Sequence, residues 1–230
     1  MAFQSVVSLT QGYGVPGSLV YDGPVRSAPW TLISTPEPNV IGATAYTAVS
    51  DGIAMAGGVG AFAGILASPK SYTAGLINVG STMTLPDETI GELATMGQFL
   101  VTLTTAANIG DLVTYNTTTG ALGSVPLQGA VTASFATNVM TVTASSVFIG
   151  VGSVVNFAGV AVGTTVIADG TGAGGTGTYT LSTTPGTVAS APGKIGAGLY
   201  AGANNAFVPN ATVILRATAA NALAIIELNN

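Results

Sequence analysis

The chain has 230 residues, a formal net charge of −5 and charged side chains at only 6% of its positions, against roughly 25% in an average soluble protein. It contains no Cys and no His, which excludes thiol nucleophiles, disulfides, imidazole bases, Ser-His-Asp triads and Cys/His zinc sites. The four basic residues, Arg26, Lys70, Lys194 and Arg216, are too scattered to follow a phosphate backbone. We therefore expect no nucleic-acid partner and no metal or cofactor.

The hydrophobic content of 48% comes largely from small Ala and Val side chains that alternate with Gly and Thr. No segment has a convincing helical period between helix caps, whereas β-rich runs recur between Gly, Pro and Asn turns. The sequence predicts an all-β protein with a discontinuous, barrel-like or sandwich-like body.

The N-terminal segment, residues 1–30, has no basic region at its start, so no secretory signal is expected. Its Gly- and Pro-rich composition argues against a helix and against a long central strand. Two interpretations remain open for its aromatic rings. They anchor a loop on the core, or they form an extended arm on a neighbouring subunit, where aromatics supply much of the contact energy. The rings belong to Phe3, Tyr13, Tyr21 and Trp30.

The most apolar run, residues 53–67, is about five residues short of the ~20 that a membrane-spanning helix needs. It is interpreted as a buried strand and turn region, and no membrane partner is expected. The acidic residues Asp87, Glu88 and Glu92 follow in "LPDETIGEL", which is predicted to be a loop.

Four further segments have strand character. Residues 98–104, 211–218 and 222–229 are predicted strands. Residues 111–125 are predicted to be a hairpin whose turn uses Gly120, because glycine readily takes the positive φ that closes such loops.

A change of composition begins near Ala130 and ends near Pro192, where Asp169 is the single charged residue. Thr, Val, Ala and Gly dominate there, in five short predicted strands. We predict that residues 130–192 form an inserted β-module, and that residues 1–129 and 193–230 form the body.

The stretch "ADGTGAGGTGTYTLS", residues 168–182, matches two ligand-binding motifs. Gly170, Gly172 and Gly175 fit the G-x-G-x-x-G spacing of dinucleotide sites, but a strand-like run follows where that motif requires a helix. The stretch also matches a calcium-binding glycine repeat, except that Tyr179 replaces the required carboxylate. We interpret it as a turn that leads into a strand.

Two arrangements in the sequence contain catalytic residue types. Lys70 lies between Ser68 and Ser71, as in a Ser-Lys dyad, but Pro69 favours a turn and no oxyanion-hole motif is present. The nine acidic residues could supply a carboxylate pair, although solvated loop charges are the simpler interpretation. Asp111 is predicted to bond its own turn.

Three segments of the body carry a resemblance to a known family. They are "GAFAGILASPK" at 60–70, "AANIGDLVTYNTTTGAL" at 106–122 and "FVPNATVILRATAANALAIIELN" at 207–229, together with "GYGVPGSLV" near the N-terminus. These patterns resemble the head decoration, or cement, proteins of tailed bacteriophages. The Thr/Gly-rich insert is similar to small modules of other phage virion proteins.

The resemblance implies a non-enzymatic virion protein that is made in the bacterial cytoplasm. It implies binding to the outside of an icosahedral capsid, cementing of neighbouring major capsid subunits, and a homo-oligomer that is often a trimer. The insert leaves open a tail, fibre or adhesin-like binding component as the alternative. A carboxylate-based glycan hydrolase is a distant third hypothesis.

Overall fold

The computed structural model describes residues 14–20, 23–33, 38–68, 83–196 and 204–229. Within these ranges every regular element is a β-strand, which confirms the predicted all-β class. The strands are β1 (Arg26–Ile33), β2 (Asn39–Val40), β3 (Ala45–Ser50), β4 (Ile53–Ala56), β5 (Phe62–Leu66), β6 (Thr84–Leu85), β7 (Ile90–Leu103), β8 (Leu112–Asn116), β9 (Leu122–Val125), β10 (Gln128–Ala136), β11 (Val139–Ser145), β12 (Val155–Asn156), β13 (Val166–Asp169), β14 (Gly177–Leu181), β15 (Val188–Gly196), β16 (Asn205–Leu215) and β17 (Ala222–Asn229).

Nine strands form one sheet in the order β1-β4-β3-β5-β7-β17-β16-β8-β9. Strand β1 also pairs with β7, so that β1, β4, β3, β5 and the first half of β7 close into a barrel. The second half of β7 pairs with β17, and the sheet continues from there as a half-barrel. The C-terminal strands therefore return to the first half of the chain, as the predicted discontinuous body requires.

The nine-stranded sheet encloses two apolar clusters, one in the barrel and one in the half-barrel. The barrel cluster consists of Leu32, Ile41, Tyr46, Ala54, Ala56, Ala63, Leu66, Leu85 and Leu93. The half-barrel cluster is built mainly from inward-facing residues of β7, β8, β16 and β17, such as Val101, Val113 and Ile226. Strand β17 buries three consecutive apolar residues, 224–226, and its run of apolar and β-branched side chains explains why its sequence predicts a strand.

Strand β1 corrects the expectation that the N-terminal segment holds no long central strand, because β1 has eight residues and pairs on both sides despite Pro29. The N–H of Leu32 points to β7 and bonds to the Thr89 carbonyl, at 2.9 Å. The N–H of Thr31 points to β4 and bonds to the Gly52 carbonyl, at 2.8 Å. Alternation therefore turns the Pro29 nitrogen towards β4, ahead of the first paired residue of that strand, where no ladder bond is lost.

The predicted loop with the acidic residues is only partly a loop. Asp87 and Glu88 lie in a turn, but β7 starts at Ile90, so Glu92 lies within a strand. The hairpin of β8 and β9 forms as predicted, and Gly120 closes it with a φ of 74°.

The other large sheet has the order β12-β15-β10-β11-β14-β13. A β-bridge between Val154 and Thr165 joins its two outer strands, so the six strands close into a small barrel, the six-stranded ring. The ring encloses its own apolar cluster, which includes Phe135, Met140 and Tyr179. Among the described residues, none of its strands pairs with the nine-stranded sheet. The remaining strands, β2 and β6, form a two-stranded ribbon.

Candidate functional site

The glycine-rich stretch forms the loop between β13 and β14, at residues 170–176. A strand follows the loop, so no helix N-terminus is present to bind a pyrophosphate. Thr171 and Thr178 close the loop across its base. The Thr171 N–H donates to Thr178 Oγ1 at 2.9 Å, and the Thr178 N–H donates to Thr171 Oγ1 at 3.1 Å.

Side-chain packing accounts for two glycines of this loop, Gly172 and Gly174. A Cβ on Gly172 would collide with the ring of Tyr179, and one on Gly174, where φ is 95°, would collide with the ring of Phe148. Tyr179 is fully buried, and its hydroxyl donates to the Gly175 carbonyl at 2.8 Å. Burial raises the pKa of Tyr179, so this phenol stays protonated as a donor. The residue at the carboxylate position of the calcium motif is thus a core side chain.

The described carboxylates are distributed over separate parts of the fold. Asp111 accepts a 2.7 Å hydrogen bond from the N–H of Asn108, which confirms that it bonds its own turn. Glu92 accepts a hydrogen bond from the Ser27 hydroxyl, on β1. Within the described ranges, no group of three or more Asp or Glu side chains is arranged to hold a metal ion.

The Ser-Lys arrangement is described only in part, because Lys70 and Ser71 lie outside the described residues. Ser68 is the last described residue before this gap, and its N–H donates to the Gly17 carbonyl at 2.8 Å. The structure therefore assigns Ser68 a backbone role at the contact between the N-terminal segment and β5.

Of the four aromatic residues singled out in the N-terminal segment, Phe3, Tyr13 and Tyr21 lie outside the described residues. Trp30 lies on β1, where it is half-buried and packs against the barrel cluster. One part of its ring thus stabilises the barrel and another part remains accessible to solvent.

An open groove of about 720 Å³ adjoins an irregularity in β16. Between Phe207 and Thr212 the register of β16 shifts against β8, and Asn210 adopts a positive φ of 48°. No ionisable side chain is among the residues that line the groove. It therefore lacks the acid and base groups that catalysis at this position would need.

The edge of the nine-stranded sheet at β9 is covered. The Leu122 carbonyl accepts from the N–H of Thr104 at 2.8 Å, and the Leu122 N–H donates to the Ala43 carbonyl at 3.1 Å. The N–H of Ser124 donates to Thr105 Oγ1 at 2.8 Å. These hydrogen bonds use backbone N–H and carbonyl groups of β9 that would otherwise be free to pair with another strand.

Large apolar side chains are exposed at several loop tips, which the sequence reasoning did not single out. Val59 in the β4–β5 loop is 90% exposed, and Val162 in the β12–β13 turn is 99% exposed. The signal in the sequence was a single valine among glycines, "GGVG", at residues 57–60. In the part of the chain that the structure describes, no helix has the length and apolarity to cross a membrane.

These features define an all-β protein whose surface has exposed apolar loop tips and an open groove without ionisable side chains. Comparison with known protein families matches residues 3–155, about two thirds of the chain, to the family described as "Structural cement protein (E217 gp24/Pam3 gp6)". The chain therefore belongs to this family of phage structural cement proteins, which confirms the resemblance noted in its sequence. Membership implies a non-enzymatic, structural role in the virion capsid. No curated protein matches the sequence.

Proposed function

We propose that this protein binds the outer surface of an icosahedral phage capsid and cements neighbouring major capsid subunits. The family match over residues 3–155 carries the proposal. The low charge of the chain supports it, because 6% charged residues allow a broad contact with little cost of ion desolvation. Synthesis in the cytoplasm of the bacterial host precedes assembly on the capsid.

We further propose a homo-oligomer, with a trimer favoured, because several copies that bind together gain avidity from modest individual contacts. The N-terminal segment supports contacts between subunits or with the capsid. Residues 1–21 carry no charged side chain, and they include Phe3, Tyr13 and Tyr21. Trp30 contributes its solvent-accessible part from β1.

The proposed division of the chain assigns residues 130–192 to an inserted module and residues 1–129 and 193–230 to the capsid-binding body. The separate core of the six-stranded ring supports an inserted module, and the ring extends a few residues past these bounds, from Gln128 to Gly196, with Ile195 in its core. The module's aromatic residues are Phe135, Phe148, Phe157 and Tyr179, and three of them are buried in that core. This leaves little aromatic surface for glycan stacking, so the observations favour the capsid over an adhesin-like role.

Binding to purified phage heads tests the proposal. Expanded heads that lack the protein are mixed with the purified full-length chain and sedimented. Co-sedimentation that saturates, together with increased resistance of the heads to heat, is the expected result. Heads that neither bind the protein nor gain stability, or labelled virions with the protein confined to the tail, would refute the proposed function.

A further inference from the structure

The groove beside strand β16 lies where this strand loses both of its neighbours. Among the described residues, β16 pairs with β8 up to Phe207 and again at Thr212, and with β17 from Ala211 onwards. Residues 208–210 therefore pair with neither strand. An irregularity of this kind disrupts the hydrogen-bond ladder, and unpaired strand backbone is a template for an added segment.

The walls of the groove are mainly apolar and carry no charge. The half-buried side chains of Leu112, Phe207 and Pro209 line it together with the neutral side chains of Asn210 and Thr212. An ionised group would lose its hydration here without gaining a partner of opposite charge. The groove is therefore suited to an extended, uncharged peptide segment that adds a strand.

Residues 1–13, here called the arm, have the chemistry that the groove requires. The arm lies outside the described residues. It carries no charged side chain, and Val6, Val7 and Leu9 give it apolar and strand-favouring character. When extended, it spans up to about 43 Å at about 3.3 Å per residue, which is enough to reach a neighbouring molecule. The family match begins at residue 3, so all but the first two residues of the arm belong to the matched domain.

The direction of the chain just after the arm favours exchange between copies. Residues 17–20 run antiparallel to β7, from Leu100 to Gln98, on the side of β7 that faces away from β17. The chain that precedes them therefore heads for the C-terminal end of β7. The groove lies towards the other end of this pairing, because its residue Asn229 pairs with Met96. To reach the groove of its own molecule, the arm would have to reverse and cross both β7 and β17.

We propose that the arm of one copy adds as an extended strand to the groove of a neighbouring copy. This inference rests on the proposed homo-oligomer and names the contact that holds it together. Because the arm and the groove are different surfaces, the contact is head-to-tail, and such contacts can close into a ring of copies. The proposed trimer is a ring of this kind.

Two asparagines allow a matched test of the groove. Asn210 lines it, whereas Asn204 lies just before β16 and is not among its lining residues. Both side chains are exposed, and both residues adopt a positive φ, of 48° and 58°. Aspartate tolerates this conformation as asparagine does, so each Asn→Asp change adds a charge with little change of shape.

Light scattering on the purified full-length protein, without capsids, measures self-association. We expect Asn210→Asp to raise the dissociation constant by about tenfold or more, because the docked arm would bury the new carboxylate without a partner. Asn204→Asp should remain within about twofold of the unaltered protein. An arm variant that combines Val6→Asp and Val7→Asp should dissociate as well, because one of two successive side chains faces the groove. Circular dichroism verifies that each variant keeps its β-sheet content.

Mixing the two defective proteins distinguishes exchange between copies from docking within one molecule. The Asn210→Asp variant retains an intact arm, and the arm variant retains an intact groove. At concentrations where the unaltered protein is fully associated, the mixture should form a heterodimer through one contact, although neither variant associates alone. A mixture that contains only monomers would overturn the exchange between copies.

Other outcomes would overturn the inference at the groove. Equal losses in Asn210→Asp and Asn204→Asp would show that the effect is not specific to the groove. Dissociation of the arm variant, with Asn210→Asp fully associated, would place the arm elsewhere. An unaltered protein that is monomeric but binds purified heads would overturn the homo-oligomer and this inference, and would leave the capsid-binding proposal intact.

Discussion

A buried tyrosine links the barrel to the two-stranded ribbon of β2 and β6. The Tyr46 hydroxyl donates to Asn39 Oδ1 at 2.5 Å, and Asn39 Nδ2 donates to the Pro86 carbonyl at 3.2 Å. Tyr46 and Asn39 are both fully buried, so water cannot replace either bond. Buried polar groups need such partners, and this pair provides them for each other.

The Tyr46→Phe variant is expected to lower the free energy of unfolding by about 1–3 kcal/mol, because Asn39 Oδ1 loses its donor in a buried site. Urea unfolding of the purified protein measures the change. Tyr115→Phe is the control, since it retains the ring that packs on Phe62 with centroids 6.2 Å apart. A loss in Tyr115→Phe as large as that in Tyr46→Phe would contradict the assignment.

The buried tyrosines also predict how stability changes at alkaline pH. Burial raises the pKa values of Tyr46, Tyr115 and Tyr179 above 10.0, and the charge of Asp87 adds to the effect at Tyr46. Above that pH the unfolded chain releases phenolic protons that the folded protein retains, so the free energy of unfolding falls as the pH rises. Below it, the contribution is fully present.

The expected slope is about 1.4 kcal/mol per pH unit for each tyrosine that stays protonated. Urea unfolding at about pH 9, 10 and 11 measures it. The Tyr46→Phe variant should show a shallower decline, because one of the three groups is gone. Identical slopes for the variant and the unaltered protein would show that Tyr46 does not titrate in this way.

At the scale of elements, glycine variants of the β13–β14 loop can distinguish a packing role of these glycines from a ligand-binding role. Gly172→Ala places a methyl group against the buried Tyr179 ring and should destabilise the six-stranded ring by about 1–3 kcal/mol. Gly175→Ala should be nearly neutral, because nothing lies within 4 Å of its Cβ. Thermal unfolding of both variants measures the difference. Equal losses, or a rise in melting temperature on adding a dinucleotide or Ca²⁺, would contradict the packing explanation.

The elements that the sequence predicted are those with local signals. Strand β17 carries a run of apolar and β-branched residues, and the turn of the β8–β9 hairpin contains Gly120. Strand β1 was missed because its sequence contains Pro29. The strand can include this proline only because pairing with β4 begins after it, at Thr31, and the sequence does not reveal where that pairing begins.

At the scale of the whole molecule, one sheet combines strands from both ends of the described chain. Strands β16 and β17 lie beyond the matched residues 3–155, yet β17 pairs with β7 and β16 pairs with β8. The matched range contains the whole barrel and ends within β12, inside the six-stranded ring. The composition change near Ala130 indicated this second sheet, whereas its closure into a ring depends on the non-local pairing of Val154 with Thr165.

A cryo-EM map of the intact phage particle tests the capsid-cementing role most directly. We predict density for the nine-stranded body on the outside of the shell, bridging neighbouring major capsid subunits. Density for this fold in the tail would contradict the account. A shell whose outer surface is covered by other proteins, with no density for this fold, would contradict it as well.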